Sequence, residues 1–178
     1  PYVESVEQVR ELVGAVKLRP LKGKLAEAAL REPDTVEPQL NDYLDNFSSG
    51  NLLVVNIESV PAIENLDAIL GVPGLDAVLI GPHDLSVSMG IPEQYRDPAF
   101  DKAVRDIIKR AREHNISVGI HFWEGLDMEI EWAKAGANLI VHSGDISLFS
   151  STLRKDLKEM CEALGNDTQL PDTKGAAV

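Results

Sequence analysis

Residues 51–84 read NLLVVNIESVPAIENLDAILGVPGLDAVLIGPHD and contain the pattern that decides the fold. Two apolar runs, 52–57 and 77–80, flank a helical pattern at 61–70. A continuous apolar run is expected of a strand that is covered on both faces. Because a helix separates the two strands, the pattern predicts parallel strands joined by a right-handed crossover.

The alternation of strand and helix continues towards the carboxyl terminus. Asp97 and Pro98 form an N-cap followed by a proline at the first helical position, which predicts the start of a helix. The apolar side of this helix comprises Phe100, Ala103, Val104, Ile107, Ile108 and Ala111. The same periodicities predict strands at 117–120 and 138–141 and helices at 126–135 and about 147–164.

The amino-terminal part is less regular. Ser5 and Gln8 have the spacing of a capping box, which predicts a helix that ends near Pro20. Residues 20–50 lack a clear period. We expect loops there at Pro33, Pro38 and 46–50, and one short helix at 25–31.

Four strands, each followed by a helix, are compatible with a doubly wound open sheet or with a (β/α)8 barrel. A complete barrel needs about 250 residues, and this chain has 178. The sequence therefore predicts an open sheet or a partial barrel that lacks its first strands. We expect one domain over residues 1–164 and a flexible tail at 165–178, where no periodic apolar face is present.

The composition limits the kinds of partner that we expect this chain to bind. The formal net charge is −12, and no basic run is present, so we expect neither nucleic acid nor an anionic membrane as a partner. Cys161 is the single cysteine, which excludes an intrachain disulfide and favours a reducing, cytoplasmic compartment. No apolar run approaches the ~18 residues of a membrane span, and no signal peptide is visible.

Acidic residues follow the first two predicted strands. Glu58 stands at the exit of the first strand and Asp84 just past the exit of the second. Neighbouring parallel strands lie about 4.8 Å apart, so the two carboxylates are expected to be close. Such a pair, completed by water and substrate oxygens, suits Mg²⁺ or Mn²⁺. The alternative is that Asp84 is only the cap of the next helix.

Histidines follow the other two strands. His121 ends the third strand and His142 the fourth. Each is compatible with a ligand or acid–base role, but a histidine at a strand end is more often a packed, hydrogen-bonded side chain. The sequence contains no Gly-x-Gly-x-x-Gly motif or phosphate loop, which counts against a dinucleotide or a nucleoside triphosphate.

At these residues the sequence resembles the HpcH/HpaI class II pyruvate aldolases. The resemblance rests on Asn56-Ile57-Glu58, on Gly81-Pro82-His83-Asp84-Leu85-Ser86 and on the turn Ser88-Met89-Gly90. The opening PYVESVEQVRELV and the closing GANLIVHSGDISLF also resemble segments of that family. The similarity covers most of residues 1–160 and implies a partial (β/α)8 TIM barrel, roughly strands 4/5 to 8 with their helices.

The resemblance also implies a chemistry. Glu58 and Asp84 would hold Mg²⁺, Mn²⁺ or Co²⁺, which chelates the carboxylate and keto oxygens of pyruvate or another 2-oxo acid. The substrate-binding residues implied are Gly81, Pro82, His83, Asp84 and Ser86, with backbone N–H groups around His83 and Asp84 on the substrate carboxylate. Members of the family form homo-oligomers, and the partners implied are pyruvate and an aldehyde.

Several positions depart from the family pattern. The catalytic His–Asp pair and the keto-binding Arg of the family lie on strands before the position of Pro1. No residue of this sequence is therefore assigned to those catalytic roles. The segment LRPLKGKLA at 18–26 stands where the family has Tyr-Pro-Pro-x-Gly-x-Arg-Gly, with Leu25 and Ala26 in place of Arg-Gly. Asn56 replaces the usual Gln, and His83 and His121 stand at positions where small or apolar residues are common.

Three functions follow from this interpretation. The first is an aldehyde-lyase that reversibly cleaves a 4-hydroxy-2-oxo acid to pyruvate and an aldehyde through a metal-stabilised enolate. The second is a truncated or degenerate barrel that binds metal or a partner without catalysis. The third is a lyase of the citramalyl-CoA or malyl-CoA type.

Overall fold

The computed structural model describes residues 1–32 and 36–165. Four short strands alternate with helices: β1 Val54–Ile57, β2 Ala77–Ile80, β3 Ser117–Phe122 and β4 Leu139–His142. The helices before β2 are α1 Val6–Lys17, α2 Gly23–Arg31, α3 Pro38–Ser48, α4 Val60–Glu64 and α5 Leu66–Leu70. Those after it are α6 Pro82–Ser88, α7 Pro98–Glu113, α8 Leu126–Lys134 and α9 Asp145–Ala163.

The four strands form one parallel sheet in the order β1-β2-β3-β4. Each described strand therefore pairs with its neighbours in sequence, and the order never reverses. A doubly wound sheet requires a reversal at its switch point, whereas a (β/α)8 barrel has sequential order throughout. The topology favours the partial barrel over the open sheet.

The chain extends this sheet beyond β1 by one bridge. Tyr2 pairs in parallel with Asn56. The Asn56 N–H donates to the Pro1 carbonyl at 2.7 Å, and the Val3 N–H donates to the Asn56 carbonyl at 3.4 Å. Residues 1–3 thus run beside β1, in the direction that a preceding barrel strand would take.

The core lies between the sheet and α7. Five of the six predicted apolar residues of this helix are fully buried, and Ala103 is partly buried. Every second residue of β1 and β3 packs against the helices, among them Val55, Ile57, Ile120 and Phe122. The intervening residues of these strands include half-buried ones such as Asn56. The expectation that both faces are covered holds at the start of β2, where Ala77 and Val78 are both buried. It is wrong for β1, in which half-buried and buried residues alternate.

Several predicted boundaries also change. Pro38 begins α3 instead of marking a loop, because proline at the first helical position costs no hydrogen bond. The predicted helix at 61–70 is divided into α4 and α5 at Asn65. Leu52 is exposed and precedes β1. The loop predicted at Pro33 and the tail after Gly165 lie outside the described residues.

The residues of the carboxyl-terminal part are mostly exposed or half-buried. β4 has one half-buried and three exposed residues, and α9 has no buried residue. Among the described residues, none of the helices combines the length and the apolar character needed to cross a bilayer.

Arg110 connects α7 to the helices between β1 and β2. Its guanidinium donates to both carboxylate oxygens of Asp67, at 3.1 and 3.0 Å, and to the carbonyl of Ile63 at 3.0 Å. A further bond reaches Asp106 at 3.2 Å. The hydrogen bonds from Arg110 hold the pKa of Asp67 below its ordinary value. The pair thus stabilises the ionised carboxylate in the folded chain.

We expect Asp67→Asn to lower the melting temperature by roughly 1–4 °C at pH 7. The contribution of Asp67 is complete above the ordinary aspartate pKa of about 4. It is lost as the pH falls through the lower pKa of the folded protein, so the difference from wild type should disappear there. Thermal unfolding from pH 7 to pH 3 measures it. Glu113→Gln removes an exposed partner of Lys109 and serves as the control. A constant difference at every pH would contradict the role of the Asp67 charge.

Candidate functional site

Glu58 leaves β1 on the face opposite the helices. Ile57, the residue before it, is fully buried in the core, and successive strand residues point to opposite faces. Asn56 lies two residues earlier on the same face, and its Nδ2 donates to Glu58 Oε2 at 3.2 Å. The carboxylate is thereby oriented by a neighbour from its own strand.

Gly81 is the residue against which Glu58 packs. Its N–H donates to the Ile57 carbonyl at 3.3 Å, which continues the pairing of β2 with β1. A Cβ atom added to Gly81 would lie 2.8 Å from Glu58 Cβ and 3.2 Å from Glu58 Cδ. The backbone of Gly81 has a φ of −90°, which suits any residue, so the need for glycine is steric and arises from Glu58.

Asp84 lies in the first turn of α6. Gly81 is the N-cap residue of this helix and Pro82 its first helical residue. Asp84 is therefore not the N-cap, and the alternative that it only caps the next helix is wrong. No hydrogen bond or ion pair of the Asp84 carboxylate is found among the described residues. The carboxylate is exposed and available to a ligand.

The two carboxylates oppose each other electrostatically. Partial burial raises the pKa of Glu58, and the negative charge of Asp84 raises this pKa further. The hydrogen bond from Asn56 acts in the opposite direction. A divalent cation between the carboxylates would remove the repulsion that the pair otherwise retains.

The two carboxylates suit a hard cation that takes only some of its ligands from the protein. Within residues 1–32 and 36–165, no group of three or more His, Cys, Asp or Glu side chains has the arrangement of a metal site. Mg²⁺ commonly takes one or two carboxylates and completes its shell with water and substrate oxygens. The residues present are thus compatible with Mg²⁺, Mn²⁺ or Co²⁺ and leave positions for a chelating substrate.

The remaining residues of the predicted pocket have different surroundings. Pro82 is buried, whereas His83 is exposed and its Nδ1 lies 3.7 Å from Glu93 Oε1. Ser86 is fully buried. Its hydroxyl donates to the His83 carbonyl at 2.7 Å and accepts from the Glu93 N–H at 3.0 Å. These bonds shape the turn after β2, and substrate contact by Ser86 stays a prediction.

The two strand-end histidines face different sides of the sheet. His121 Nε2 lies 2.9 Å from the Ser143 carbonyl. His142 Nδ1 lies 2.7 Å from Oε2 of Glu129, a residue of α8 that is only 3% exposed. The other oxygen of Glu129 is buried and has no hydrogen-bond partner among the described residues. His142 is thus directed to the helix layer, away from Glu58.

Sequence reasoning missed a polar contact beside the carboxylates. The hydroxyl of Ser59 donates to Glu4 Oε1 at 2.6 Å. The bonds from Ser59 and Tyr2 lower the pKa of Glu4. The contact joins residues more than fifty positions apart, so no local pattern indicates it; only the N-cap character of Ser59 is visible in the sequence.

The segment 18–26, which departs from the family pattern, lies at the other end of the sheet. Lys17 at the end of α1 forms an ion pair of 2.9 Å with Asp76, which immediately precedes β2. Glu58 and Asp84 instead follow the carboxyl ends of their strands. Leu25 and Ala26 lie inside α2, so the departure at these positions does not alter the carboxylate pair.

Curated relatives match most of this chain. The chain is 31% identical over 159 residues to a 2-keto-3-deoxy-L-rhamnonate aldolase of Klebsiella pneumoniae. It is 31% identical over 157 residues to a protein of the same name from Escherichia coli K12. The matched regions comprise 88% of this chain and 58% of each relative. The chain therefore spans less than two thirds of the length of these relatives.

Solved structures have the same fold. An HpcH/HpaI aldolase from Desulfitobacterium hafniense DCB-2 superposes with a TM-score of 0.73 at 26% identity, over 91% of this chain and 62% of that one. Macrophomate synthase superposes with a TM-score of 0.65 at 25% identity, over 92% of this chain and 57% of that one. The prediction of a partial (β/α)8 barrel is confirmed.

A model of the HpcH/HpaI aldolase/citrate lyase family matches residues 1–151. The match includes β1 and the residue Glu58 that follows it, β2, and the helix α6 that contains Asp84. The resemblance found in the sequence is thereby confirmed. The chain belongs to the HpcH/HpaI aldolase/citrate lyase family.

Proposed function

We propose that this chain forms part of a metal-dependent aldolase that reversibly cleaves a 4-hydroxy-2-oxo acid into pyruvate and an aldehyde. The observation that carries the proposal is the carboxylate pair, Glu58 and Asp84, which follows two neighbouring parallel strands. The relatives named 2-keto-3-deoxy-L-rhamnonate aldolase support the same substrate class, since such a sugar acid is a 4-hydroxy-2-oxo acid.

Each residue of the site has a distinct task in this proposal. Glu58 and Asp84 hold the cation, and Asn56 keeps the Glu58 carboxylate in place. Gly81 leaves the space that Glu58 occupies. Backbone N–H groups near His83 and Asp84, in the first turn of α6, are free of helical partners and suit the substrate carboxylate. Bound Mg²⁺, Mn²⁺ or Co²⁺ would supply Lewis-acid stabilisation of the enolate that forms when the C3–C4 bond breaks.

The exposed surface of α9 and β4 supports a homo-oligomer. Large apolar side chains on α9 are exposed, among them Ile146, Phe149, Leu153 and Met160. Exposed apolar patches of this kind mark sites of association. We include a homo-oligomer and a cytoplasmic location in the proposal, the latter because a single cysteine suits a reducing compartment.

A barrel that binds metal without catalysis is the second candidate. Leu25 and Ala26 stand inside α2 where the family has Arg-Gly, and none of the described residues is assigned the acid–base role. Lyases that act on citramalyl-CoA or malyl-CoA are a third candidate. Metal binding alone does not separate these candidates, and a reaction assay does.

We expect Mn²⁺ at roughly 100 times its Kd to raise the melting temperature by about 5–10 °C. Glu58→Gln and Asp84→Asn should abolish this shift, because each leaves only one carboxylate for the cation. Glu93→Gln changes an exposed acid on the adjacent loop and should retain it. Differential scanning fluorimetry with and without Mn²⁺ measures the shift. Equal shifts in all four proteins would exclude the carboxylate pair as the metal site.

Gly81→Ala should reduce the affinity for Mn²⁺ at least tenfold, because the new methyl group displaces Glu58 from its position. Gly144→Ala is the matched control. Gly144 also caps a helix after a strand, and no atom lies within 4 Å of the Cβ that it would gain. Isothermal titration with Mn²⁺ compares the two variants, and similar affinities would refute the steric role of Gly81.

The reaction is tested by pyruvate release in the presence of Mn²⁺. We expect pyruvate release from a 4-hydroxy-2-oxo acid when the acid–base His and the Arg of the family are supplied with this chain. Acetyl-CoA, the product common to citramalyl-CoA and malyl-CoA cleavage, is measured in parallel, and we expect none. Asp84→Asn should reduce the rate at least 100-fold, because a metal ligand acts on the transition state. Cleavage of the thioester would favour the CoA-dependent lyase. Metal binding without cleavage of either compound would favour the non-catalytic barrel.

A further inference from the structure

A cavity of about 480 Å³ lies at the end of the sheet away from the carboxylate pair. Its lining comes from α1, α2, α3 and the loop 72–74. Lys17, one of the lining residues, pairs with Asp76 immediately before β2, whereas Glu58 and Asp84 follow the carboxyl ends of their strands. The cavity is therefore separate from the site described above, and its volume is in the range of small-molecule sites.

The apolar floor of this cavity lies between two hydrophobic clusters. Val13 and Val72 belong to the main core, whereas Ala29 and Leu44 belong to a smaller cluster formed by α2, α3 and the connection before α2. All four side chains are at most 8% exposed. Since both clusters contribute to the lining, the cavity is a gap between them, with a floor that is apolar and shielded from bulk water.

Two arginines line the cavity and have no partner among the described residues. Leu30 of α2 packs against α1 at Gly14, where an added Cβ atom would lie 3.1 Å from Leu30 Cδ1. Arg31 directly follows Leu30, and Arg10 lies one helical turn before Gly14. Both arginines are exposed. The cavity thus has two guanidinium groups at its rim whose hydrogen-bond donors are available to a ligand.

The remaining charges of the lining leave the cavity positive. Lys17 is neutralised, because its Nζ lies 2.9 Å from Asp76 Oδ2. Asp45 is exposed and has no partner in the part of the chain that the structure describes. Two unpaired positive charges and one negative charge leave one positive charge, although the whole chain carries −12. A single negative charge on a ligand is therefore complemented here, whereas the field of the whole chain repels it.

We infer that this cavity binds a small monocarboxylate with an apolar body. The carboxylate accepts hydrogen bonds from Arg10 and Arg31, since the guanidinium group matches the geometry of a carboxylate. The apolar body lies on the floor formed by both clusters, against Val13, Leu30 and Leu44. A doubly charged phosphate exceeds the one positive charge of the lining, and an organic cation would meet two arginines. The inference does not depend on the metal site.

Octanoate and 1-octanol separate the effect of the charge from that of the apolar body. They have the same chain length, and only octanoate is charged at pH 7. Isothermal titration of the 178-residue chain uses metal-free buffer, so that the carboxylate cannot bind a cation at Glu58. We expect octanoate to bind with a Kd below about 1 mM and at least tenfold more tightly than 1-octanol. Butanoate should bind at least tenfold more weakly than octanoate, because it buries fewer CH2 groups.

Three substitutions test the charges of the lining. Arg10→Gln and Arg31→Gln should each weaken octanoate binding about tenfold and leave 1-octanol unchanged. Asp45→Asn should tighten octanoate binding at least twofold, because it removes a negative charge near the carboxylate; damage to the fold would not produce this gain. Arg19→Gln is the matched control and should bind as wild type does, since Arg19 is exposed and does not line the cavity.

Several results would overturn the inference. They are the absence of octanoate binding at millimolar concentrations, and equal binding of octanoate and 1-octanol by wild type. Unchanged affinity in Arg10→Gln and Arg31→Gln would place octanoate elsewhere on the chain. An equal loss in Arg19→Gln would assign the effect to net charge instead of the cavity, and weaker binding by Asp45→Asn would contradict the charge balance. Each of these results leaves Mn²⁺ binding by the carboxylate pair to its own test.

Discussion

The close packing of Glu58 against Gly81 is the constraint on which the site depends. The register of β1 and β2 pairs Ile57 with Ile80, so the next residues meet at the end of the ladder. A side chain at position 81 would occupy the space of Glu58. Because Gly81 is also the N-cap of α6, the same residue sets where that helix begins and hence where Asp84 lies. Strand pairing, helix start and carboxylate geometry are therefore coupled through one residue without a side chain.

This arrangement keeps two acids together without a cationic side chain bound to them among the described residues. Partial burial and the charge of Asp84 raise the pKa of Glu58. A carboxyl group whose pKa is raised in the folded state reduces stability as the pH rises above its ordinary value. In the absence of a cation the folded chain keeps this unfavourable contribution to its stability, and metal binding would offset it. Local electrostatic strain of this kind is typical of functional sites.

The sequence predicted regular elements better than irregular ones. The apolar period of α7 identified five fully buried residues, because a long amphipathic helix repeats its signal over several turns. α3 was missed since Pro38 was interpreted as a loop residue, although proline is favourable at the first helical position. No bounds were predicted for α6, because its seven residues are too few to display a period. Coverage of β1 was overestimated, since an apolar run does not reveal which face the helices cover.

The sequence by itself determined the parallel α/β class, the family, and the two acidic residues that follow the first two strands of the sheet. These features are local, since a few neighbouring residues are enough to indicate each of them. Only the tertiary structure decided that Glu58 lies over Gly81, that His121 contacts the Ser143 carbonyl, and that His142 faces Glu129 instead. Those relations depend on strand register and on which face of the sheet each side chain points to, and they join residues that are 13 or more positions apart. Nothing in a single segment encodes them, because they arise only when the strands pair.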